Sequence, residues 1–591
     1  MARYEDSWFV GAIDIEPGAG LFPVPRSNGE THRFDLGEVE VSLVTGGSTQ
    51  LATDHETNTA ILLHGDLYDA PNSNQARYAV DQYLRYGEAA CLDLNGSFAL
   101  VVMDGSSQKV QVVTDRLNSR KVFFEKRGQA FWLSTSLYRH PLKDATLDPA
   151  GIGSVLTSGV AHNGLTPFNG IQVLQRASIH TFDRNGKRSK EYWSYQFNND
   201  NAQTPREDLR QEMAEVLRDA VRRRLNAAKG TIFLSMSGGH DSKSIAGFLR
   251  QMVDDPARLA AITYHCGPRV GDTDARAAER GADLLNIDHV VLPAYHGDML
   301  SLTAVNGLHG QGMAHFCEEA DMWEGLASLF SIDSSSVLFV GDMFWNRPPR
   351  WAEPTPAGVL ALIDVFPPSV IGSFVDRLGS GGQAIQEGWH ASFSDLVRKV
   401  DQDLDPRDAQ EVMYLDQRVT NTLMLWRECF QMPRIQVMNP YLDNQVLDFV
   451  STLPVELRDG KTLYKEALNG AFPELFQLPP AKGGWNAPDW SQERLKSRSN
   501  ITHWIETHPS MLDDLLPPKV ILSLFGLGSM SSKTDSAIRI GRSVVKRSAI
   551  LRHTVRRLKA ARVDAVPNHV HWSRLLRRIL NLRMFLNQVS S

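Results

Sequence analysis

The chain has 591 residues, a formal net charge of −6 and 42% hydrophobic residues. That apolar content excludes a disordered or collagen-like chain, and the length indicates several domains, because single cores stop growing at about 250–300 residues. The four cysteines show no Cys-x-x-Cys spacing, which argues against a disulfide scaffold or a zinc site. No signal-peptide pattern or long apolar run is present, so we expect a cytoplasmic protein without a transmembrane segment.

The first 200 residues are predicted to be rich in β-strands. Apolar runs at 98–103 and 109–114 flank an Asp-Gly turn signal and predict a hairpin, and residues 74–86 predict a helix. Residues 197–205 are polar and lack periodicity, which is typical of a linker.

Beyond the linker, predicted helices and strands alternate. Residues 231–236 predict a buried strand, 242–252 a helix, 259–265 a strand, 274–285 a helix and 288–292 a strand. This alternation indicates a parallel sheet with helices on both faces.

The sequence Ser-Gly-Gly-His-Asp-Ser at 237–242 lies between the first of these strands and the next helix. Its two glycines permit a tight turn, and the N–H groups at a helix N-terminus favour a bound phosphate. Ser237 and Ser242 offer hydroxyl donors, and Asp241 offers a carboxylate for Mg²⁺. The segment fits neither the Walker A pattern nor the Gly-x-Gly-x-x-Gly dinucleotide pattern.

This hexapeptide resembles the pyrophosphate-binding loop of the N-type ATP pyrophosphatases, and further segments resemble the asparagine synthetase family. Those segments are His-Gly-Asp-Leu-Tyr-Asp at 64–69, Leu-Asn-Gly-Ser-Phe-Ala-Leu at 94–100, Thr-Asp-Arg-Leu-Asn-Ser-Arg-Lys at 114–121 and Asn-Pro-Tyr-Leu-Asp at 439–443. The resemblance implies an α/β fold: an N-terminal nucleophile (Ntn) hydrolase-like αββα domain, then an ATP-pyrophosphatase-type domain with a helix-covered parallel sheet. It also implies that ATP and Mg²⁺ are used to adenylate a carbonyl oxygen.

The start of the chain departs from the family's glutamine-dependent members, which begin with a nucleophilic cysteine after removal of Met. Position 2 is Ala2, and the nearest cysteine is Cys91. Because a thiolate must attack the glutamine amide, we expect the N-terminal domain to be a structural relic without glutaminase activity. The amine that attacks the adenylate must then come from elsewhere, as in two ring-forming branches of the family, the β-lactam synthetases and the lasso-peptide cyclases.

The resemblance implies further site residues. Asp342 follows a predicted strand and is expected near Mg²⁺ or the substrate, whereas Trp345 occupies the position of the family's metal-binding Asp. Lys482 lies in a segment similar to a late family loop whose lysine stabilises the acyl-transfer transition state. Asp274 is expected either to contact the nucleotide or to cap a helix, and Glu428 to act as a base or an ion-paired carboxylate.

The sequence therefore predicts two overlapping sets of site residues. The catalytic set is Lys482, Asp241 and Asp342, with Asp241 and Asp342 as metal ligands. The nucleotide-binding set is Ser235, Ser237, Gly238, Gly239, His240, Asp241, Ser242 and Asp274.

The end of the chain is strongly basic. Residues 533–591 contain 14 Lys and Arg against two acidic residues, a net charge of +12 that leaves −18 on residues 1–532. Residues 570–588 place apolar residues at near-helical spacing with arginines between them. We expect an amphipathic basic helix that docks on the acidic body, grips a peptide or a protease partner, or contacts anionic lipid. No nucleic-acid recognition motif accompanies the charge, so no nucleic-acid partner is expected.

Taken together, these patterns predict three regions: a degenerate glutaminase-like domain (1–200), an amide-forming synthetase domain (201–500) and a basic helical extension (501–591). The expected function is ATP-dependent macrolactam formation in a ribosomally made precursor peptide, with a leader-peptide-processing protease as a further expected partner. A β-lactam synthetase or an ammonia-dependent asparagine synthetase-like enzyme is the alternative, although the Tyr–Glu pair of β-lactam synthetases has no clear counterpart. A catalytically inactive binding scaffold is the second alternative.

Overall fold

The computed structural model describes residues 6–15, 29–70, 74–226, 228–265, 274–330, 332–346, 350–401, 403–479, 481, 488–524, 526 and 569–590. Strands β1 to β12 lie in the N-terminal part of the chain. They are β1 (Trp8–Asp14), β2 (Glu30–Asp35), β3 (Glu40–Gly46), β4 (Gln50–Asp54), β5 (Thr59–Leu67), β6 (Gly96–Asp104), β7 (Lys109–Thr114), β8 (Phe123–Arg127), β9 (Ala130–Ser134), β10 (Ile171–Val173), β11 (Ser178–Asp183) and β12 (Gly186–Glu191).

Within the described residues these strands form two antiparallel sheets of six strands. The order is β10-β8-β9-β1-β3-β2 in one sheet and β12-β11-β7-β6-β5-β4 in the other. The predicted hairpin is confirmed as β6 and β7, in which Asp104 pairs with Lys109 and Ala99 with Thr114.

Apolar side chains of the two sheets face each other and form a core between them, which includes Phe9, Leu43, Leu62 and Val101. Three helices belong to this part of the chain: α1 (Gln75–Tyr86), α2 (Ala90–Asp93) and α3 (Pro149–Ser158). Helix α1 packs its buried face on the outer side of the second sheet. Helix α3 lies in a core that includes Phe123 of β8 and Ile171 of β10. The layer order is therefore helix, sheet, sheet, helix, as expected for an Ntn-type domain.

A parallel sheet organises the second part of the chain. Its strands are β13 (Ile232–Ser235), β14 (Leu259–His265), β15 (Asp288–Pro293), β16 (Val337–Phe339) and β17 (Gln436–Met438). The order is β15-β14-β13-β16-β17, and every pair is parallel. Strand β13 is central and buried, which explains why its sequence reads as a continuous apolar run.

Helices cover both faces of this sheet. In chain order they are α4 (Arg206–Leu225), α5 (His240–Met252), α6 (Asp274–Leu285), α7 (Met299–Gly310), α8 (Ala320–Leu329), α9 (Pro356–Leu362), α10 (Pro368–Leu378), α11 (Ser380–Phe393), α12 (Leu396–Lys399), α13 (Pro406–Met413), α14 (Met424–Phe430), α15 (Asn444–Thr452), α16 (Val455–Arg458), α17 (Thr462–Ala471), α18 (Pro473–Gln477), α19 (Trp490–Lys496), α20 (Arg498–Thr507), α21 (Pro518–Leu524) and α22 (His569–Ser590). A π-helical segment, Tyr414–Leu423, joins α13 to α14. One core lies on each face of the sheet.

Helix α22 is the described part of the basic tail, and it is buried rather than laid on the surface. Leu576, Ile579 and Phe585 are fully buried in the core shared with α3 and α7. Its arginines pair with acidic residues of the body: the buried Arg577 with Glu318, the buried Arg583 with Asp513, and Arg574, whose side chain is 38% exposed, with Asp364. The helix therefore docks on the chain itself through both its apolar and its basic side chains. In the part of the chain that the structure describes, no helix is both long and apolar enough to cross a membrane.

Candidate active site

The 237–242 turn lies at the carboxyl end of β13, the central strand of the parallel sheet. Ser235 ends the strand, and Gly239 is the N-cap of α5 in an extended conformation (φ −76°, ψ 160°). No side chain among the described residues caps this helix. Its first N–H groups therefore lie at the sheet edge where ligands of open parallel sheets bind, beside the positive end of the helix dipole.

Two serines stabilise the turn from within. The Ser237 N–H donates to Ser242 Oγ (3.1 Å), and the Gly239 N–H donates to Ser237 Oγ (3.2 Å). At Gly238, a Cβ atom would lie 2.6 Å from the Ala277 side chain and 2.7 Å from that of Ala481. Glycine is therefore required at this position because α6 and residue 481 approach the turn closely.

The Asp241 carboxylate forms an ion pair that the sequence analysis did not predict. Lys461 Nζ donates to both carboxylate oxygens at 2.7 Å, and both side chains are about one fifth to one quarter exposed (21% and 24%). Lys461 itself has a left-handed backbone (φ 57°) just before α17. The pair places a carboxylate and an ammonium group together at the N-terminus of α5.

Buried hydroxyl groups lie directly beneath this pair. Tyr441 OH donates to the Asp241 carbonyl oxygen (3.0 Å) and is hydrogen-bonded to Tyr464 OH (2.6 Å), and Ser244 Oγ contacts both tyrosines. Burial raises the pKa of Tyr441 and Tyr464, so both phenols stay protonated. Their role in this arrangement is to hold the backbone of the turn.

Asp342 lies next to the same turn, but its carboxylate is bound by an arginine. Arg427 donates to both carboxylate oxygens at 2.8–3.0 Å, and Asn439 Nδ2 lies 3.4 Å from one of them. The preceding Gly341 is adjacent to the backbone of Asp241 and Ser242, since a Cβ on Gly341 would lie 3.3 Å from it. The structure thus brings Asp241 and Asp342 to one edge of the sheet, each paired with a cation.

The other predicted residues divide into those near the turn and those outside the described residues. His240 is half-buried against Phe476, with ring centroids 5.4 Å apart, and burial lowers its pKa. Asp274 lies in the first turn of α6, and residues 271–273 are not described, so its capping role stays a prediction. Lys482 also lies outside the described residues, and its catalytic role stays a prediction.

The fit of Mg²⁺ to this edge rests on carboxylate chemistry. Among the described residues, no group of three or more His, Cys, Asp or Glu side chains is placed to hold a metal ion. Mg²⁺ is commonly held by one or two carboxylates together with phosphate oxygens and water, and the partly exposed Asp241 suits such a site. Asp342 would have to exchange its guanidinium partner for the metal, so its assignment as a ligand stays a prediction.

The sequence analysis missed Lys461, Arg427 and Tyr441 as parts of this site. They lie 220, 85 and 200 residues from the groups that they bind, and no local spacing links them. For Tyr441 the sequence did offer a signal, because this residue falls in the 439–443 segment with family resemblance.

The fold comprises an Ntn-type domain followed by a domain built on a helix-covered parallel sheet. Residues 75–193 match the glutamine amidotransferase domain family, and residues 212–308 match the asparagine synthase family. The two matches cover separate stretches, one in each of the two parts of the chain described above.

Similarity to individual proteins is more distant. The chain is 23% identical over 336 residues to the glutamine-hydrolysing asparagine synthetase 3 of Bacillus subtilis (strain 168), covering 53% of each chain. It is 22% identical over 294 residues to the amidase chry2 of Gibberella zeae, covering 44% of this chain and 43% of that protein. The chain therefore spans about half the length of the curated relatives that it matches.

A solved structure of glutamine phosphoribosylpyrophosphate amidotransferase from B. subtilis with ADP and GMP matches with 12% identity and a TM-score of 0.21. That match covers 49% of this chain and 60% of that structure. At this TM-score the match adds nothing to the fold assignment, which rests on the sheet topology and the domain families.

Proposed function

We propose that this chain is an ATP-dependent, AMP-forming amide ligase that closes a macrolactam in a ribosomally made peptide. ATP would adenylate the peptide's Asp or Glu side chain with release of pyrophosphate, and the N-terminal amine would then attack the adenylate and release AMP. The proposal is carried by the 237–242 turn, which presents uncapped helix N–H groups and the Asp241–Lys461 pair at one sheet edge.

The residues near the turn have separate roles in this proposal. The N–H groups of the turn would bind pyrophosphate oxygens, and Asp241 would hold Mg²⁺, which neutralises phosphate charge when bound. Lys461 keeps the Asp241 carboxylate oriented and adds positive charge beside the phosphates. Arg427 holds Asp342 at the same edge, where an adenylated carboxylate and an attacking amine would meet.

The cysteines that the structure describes support an amine source other than glutamine. Cys91, Cys317 and Cys429 are buried, and burial raises the pKa of Cys91 to about 12, so its thiol stays protonated at neutral pH. A buried, protonated thiol is a poor nucleophile for a glutamine amide. An amine on the substrate itself would remove the need for glutamine.

An ammonia-dependent, asparagine synthetase-like ligase is the second candidate. It is favoured by the asparagine synthase match over residues 212–308 and by the similarity to an asparagine synthetase. Both candidates share adenylation at the turn and differ in the acid and the amine that are joined.

The test is to incubate the protein with ATP, Mg²⁺ and either candidate precursor peptides or aspartate with ammonium, followed by mass spectrometry. A macrolactam appears as a peptide that has lost one water, whereas the second candidate converts aspartate to asparagine. Asp241→Ala should abolish either product together with ATP–pyrophosphate exchange. Asp254→Ala, at an exposed carboxylate just beyond the other end of α5, is the matched control.

Each outcome decides between the candidates. Asparagine formation with unchanged peptides would replace the macrolactam proposal with the second candidate. ATP–pyrophosphate exchange that stays absent with all of these acids would contradict both ligases and favour a binding scaffold.

A further inference from the structure

A cavity of about 900 Å³ lies at the junction of the two domains, away from the 237–242 turn. Its walls come from the N-terminal sheets and from α14 of the synthetase part, and they include Ser7, His64, Arg139, Glu428 and Cys429. None of these residues belongs to the site described above. The cavity is large enough for a small-molecule ligand.

Ser7 and His64 form a close pair in the wall of this cavity. Ser7 Oγ lies 2.6 Å from His64 Nδ1 and accepts a hydrogen bond from the Gly65 N–H at 3.0 Å. In the tautomer with the ring proton on Nε2, the Ser7 hydroxyl donates to Nδ1, which is the arrangement that a general base requires. Burial, with the nearby Arg120, lowers the pKa of His64 well below its usual value, so the imidazole is neutral.

Glu428 lies on the other side of the imidazole and comes from α14. Its Oε1 is 4.0 Å from His64 Nε2 and accepts the Lys121 N–H at 2.8 Å. His64 Nε2 and Glu428 Oε2 are buried atoms without a hydrogen-bond partner, and the two residues are 2% and 9% exposed. Unpartnered buried polar atoms in the wall of a cavity indicate a ligand that completes their hydrogen bonds.

A Ser–His–Glu arrangement is not by itself a site, because the chain contains a second one. Ser134 Oγ lies 2.9 Å from His140 Nδ1, and His140 Nε2 lies 3.1 Å from Glu125 Oε2. Ser134 is fully buried at the end of β9 and does not line the cavity. What distinguishes Ser7 is the adjoining cavity and the unpartnered atoms around it.

We propose that Ser7, His64 and Glu428 form a second catalytic site, a serine-nucleophile site that accepts the acyl group of small carboxylic esters. This proposal is independent of the ligase activity at the 237–242 turn. It assigns Ser7 as the nucleophile, His64 as the general base and Glu428, 4.0 Å from His64 Nε2, as the carboxyl group that stabilises the charge on the imidazole.

The chemical step is an ordinary acyl transfer. Ser7 Oγ attacks the carbonyl carbon while its proton passes to His64 Nδ1, and the ester C–O bond breaks as the leaving alkoxide takes that proton from His64. Water, activated by the same imidazole, then hydrolyses the acyl-serine and releases the acid. Cys429 lines the same cavity, but burial raises the pKa of its thiol and leaves Ser7 as the better placed nucleophile.

Glu428 makes the reaction depend on pH. Burial raises the pKa of its carboxyl group, which faces Lys121, Arg120, Asp6, Cys429 and His64. Raising the pH through the neutral range ionises more of this carboxyl, and the carboxylate stabilises the imidazolium that forms during attack. The rate should therefore increase with pH more steeply in the wild type than in Glu428→Gln.

The experiment uses a fluorophosphonate probe, whose P–F bond breaks as a P–O bond to serine forms. Intact mass and peptide mapping of the labelled wild-type protein should show one adduct, on Ser7. Labelling should disappear in Ser7→Ala and fall about 100-fold or more in His64→Gln. Ser134→Ala, which removes the serine of the buried second arrangement, should label at the wild-type rate, and melting temperatures should show that the variants fold.

Mapping the adduct in the wild type makes the test independent of any variant's folding. An unlabelled wild type, an adduct on another residue, or labelling that His64→Gln does not slow would overturn the proposal. A pH profile of Glu428→Gln that parallels the wild type would remove Glu428 from it.

Discussion

At the scale of single residues, the Asp241–Lys461 pair is the feature of the turn on which the proposed ligase chemistry depends most directly. Lys461→Met removes the ammonium group while keeping most of the side-chain length. We expect ATP–pyrophosphate exchange to fall about 100-fold, since one preorganised charged donor at a developing charge is worth about that much. The measurement is the exchange rate at saturating ATP and Mg²⁺ with the substrate identified in the tests above.

The matched control for this change lies one turn along the same helix. Lys465 of α17 is exposed and close enough to His240 to lower its pKa, although it has no bond to Asp241. Lys465→Met should therefore leave the exchange rate within about twofold, because charges at exposed sites are largely screened by salt. Equal losses in the two variants would mean that Lys461 contributes only general positive charge.

At the scale of elements, α14 links the two candidate sites through adjacent residues. Arg427 holds Asp342 on the side of the 237–242 turn, whereas Glu428 accepts the Lys121 N–H and faces His64 on the other side. The π-helical segment Tyr414–Leu423 leads directly into this helix. A π-helix changes the angular position, about the helix axis, of the residues that follow it. This suits α14, whose adjacent residues Arg427 and Glu428 contact partners on different sides.

At the same scale, the packing of helix α22 leads to a prediction about stability. Leu576 is fully buried in a core that α22 shares with α3 and α7, and Arg578 donates to the Leu156 and Ser158 carbonyls at the end of α3. Leu576→Ala should lower the free energy of unfolding by about 2–5 kcal/mol, the range for a leucine truncated in a packed core. Urea unfolding followed by circular dichroism measures it.

The control variant comes from the same helix. Asn587 is only partly buried near its end, and Asn587→Ala should cost less than about 0.5 kcal/mol. If Leu576→Ala cost no more than this control, α22 would be a loosely attached tail rather than part of the core.

Most regular elements could be predicted from the sequence, because the periodic spacing of apolar residues and the turn-forming residues are local signals. The helix predicted over 74–86 is Gln75–Tyr86, and the strand predicted over 259–265 is Leu259–His265. For α22 the pattern predicted the position of the helix, and docking on the acidic body was one of the roles left open for it. The acidic partners in that docking are Glu318, Asp364 and Asp513, which are distant in sequence, so spacing alone cannot reveal them.

The candidate sites were predicted less completely for the same reason. The 237–242 turn is a continuous segment and was recognised directly. By contrast, Ser7 and His64 are 57 residues apart, and Glu428 comes from the other domain, so only the folded chain brings them together.

At the scale of the whole molecule, charged residues join the two domains. Asp443 is fully buried and accepts hydrogen bonds from Asn95 of the N-terminal domain at 3.0 Å and from Arg223 and Arg224 of α4. A second contact, between Arg116 and Asp448, crosses the same junction at 2.6 Å, but the Asp448 side chain is 55% exposed. Both carboxylates belong to α15, Asp443 as its buried N-cap with two arginine partners and Asp448 as an exposed residue within the helix with one, so they offer a comparison of a buried and an exposed junction contact.

Asp443→Asn removes the charge but keeps a side chain that caps α15. The paired arginines lower the pKa of Asp443 from 3.8 to about 2. A carboxyl group whose pKa is lower in the folded than in the unfolded state stabilises the folded state at pH values above the unfolded-state pKa. That contribution is lost as the pH falls through the folded-state pKa. For Asp443 it amounts to about 2 kcal/mol at neutral pH.

We therefore expect Asp443→Asn to be less stable than the wild type by at least about 2 kcal/mol at pH 7, since Arg224 would also be left buried without its charged partner. The difference should shrink as the pH is lowered from about 4 towards 2, because the wild-type carboxyl is then protonated as well. Asp448→Asn should cost less than about 1 kcal/mol at any pH, as expected for an exposed pair. Urea unfolding of the three proteins across this pH range tests the prediction, and an equal cost for the two substitutions would show that burial of Asp443 does not strengthen the junction.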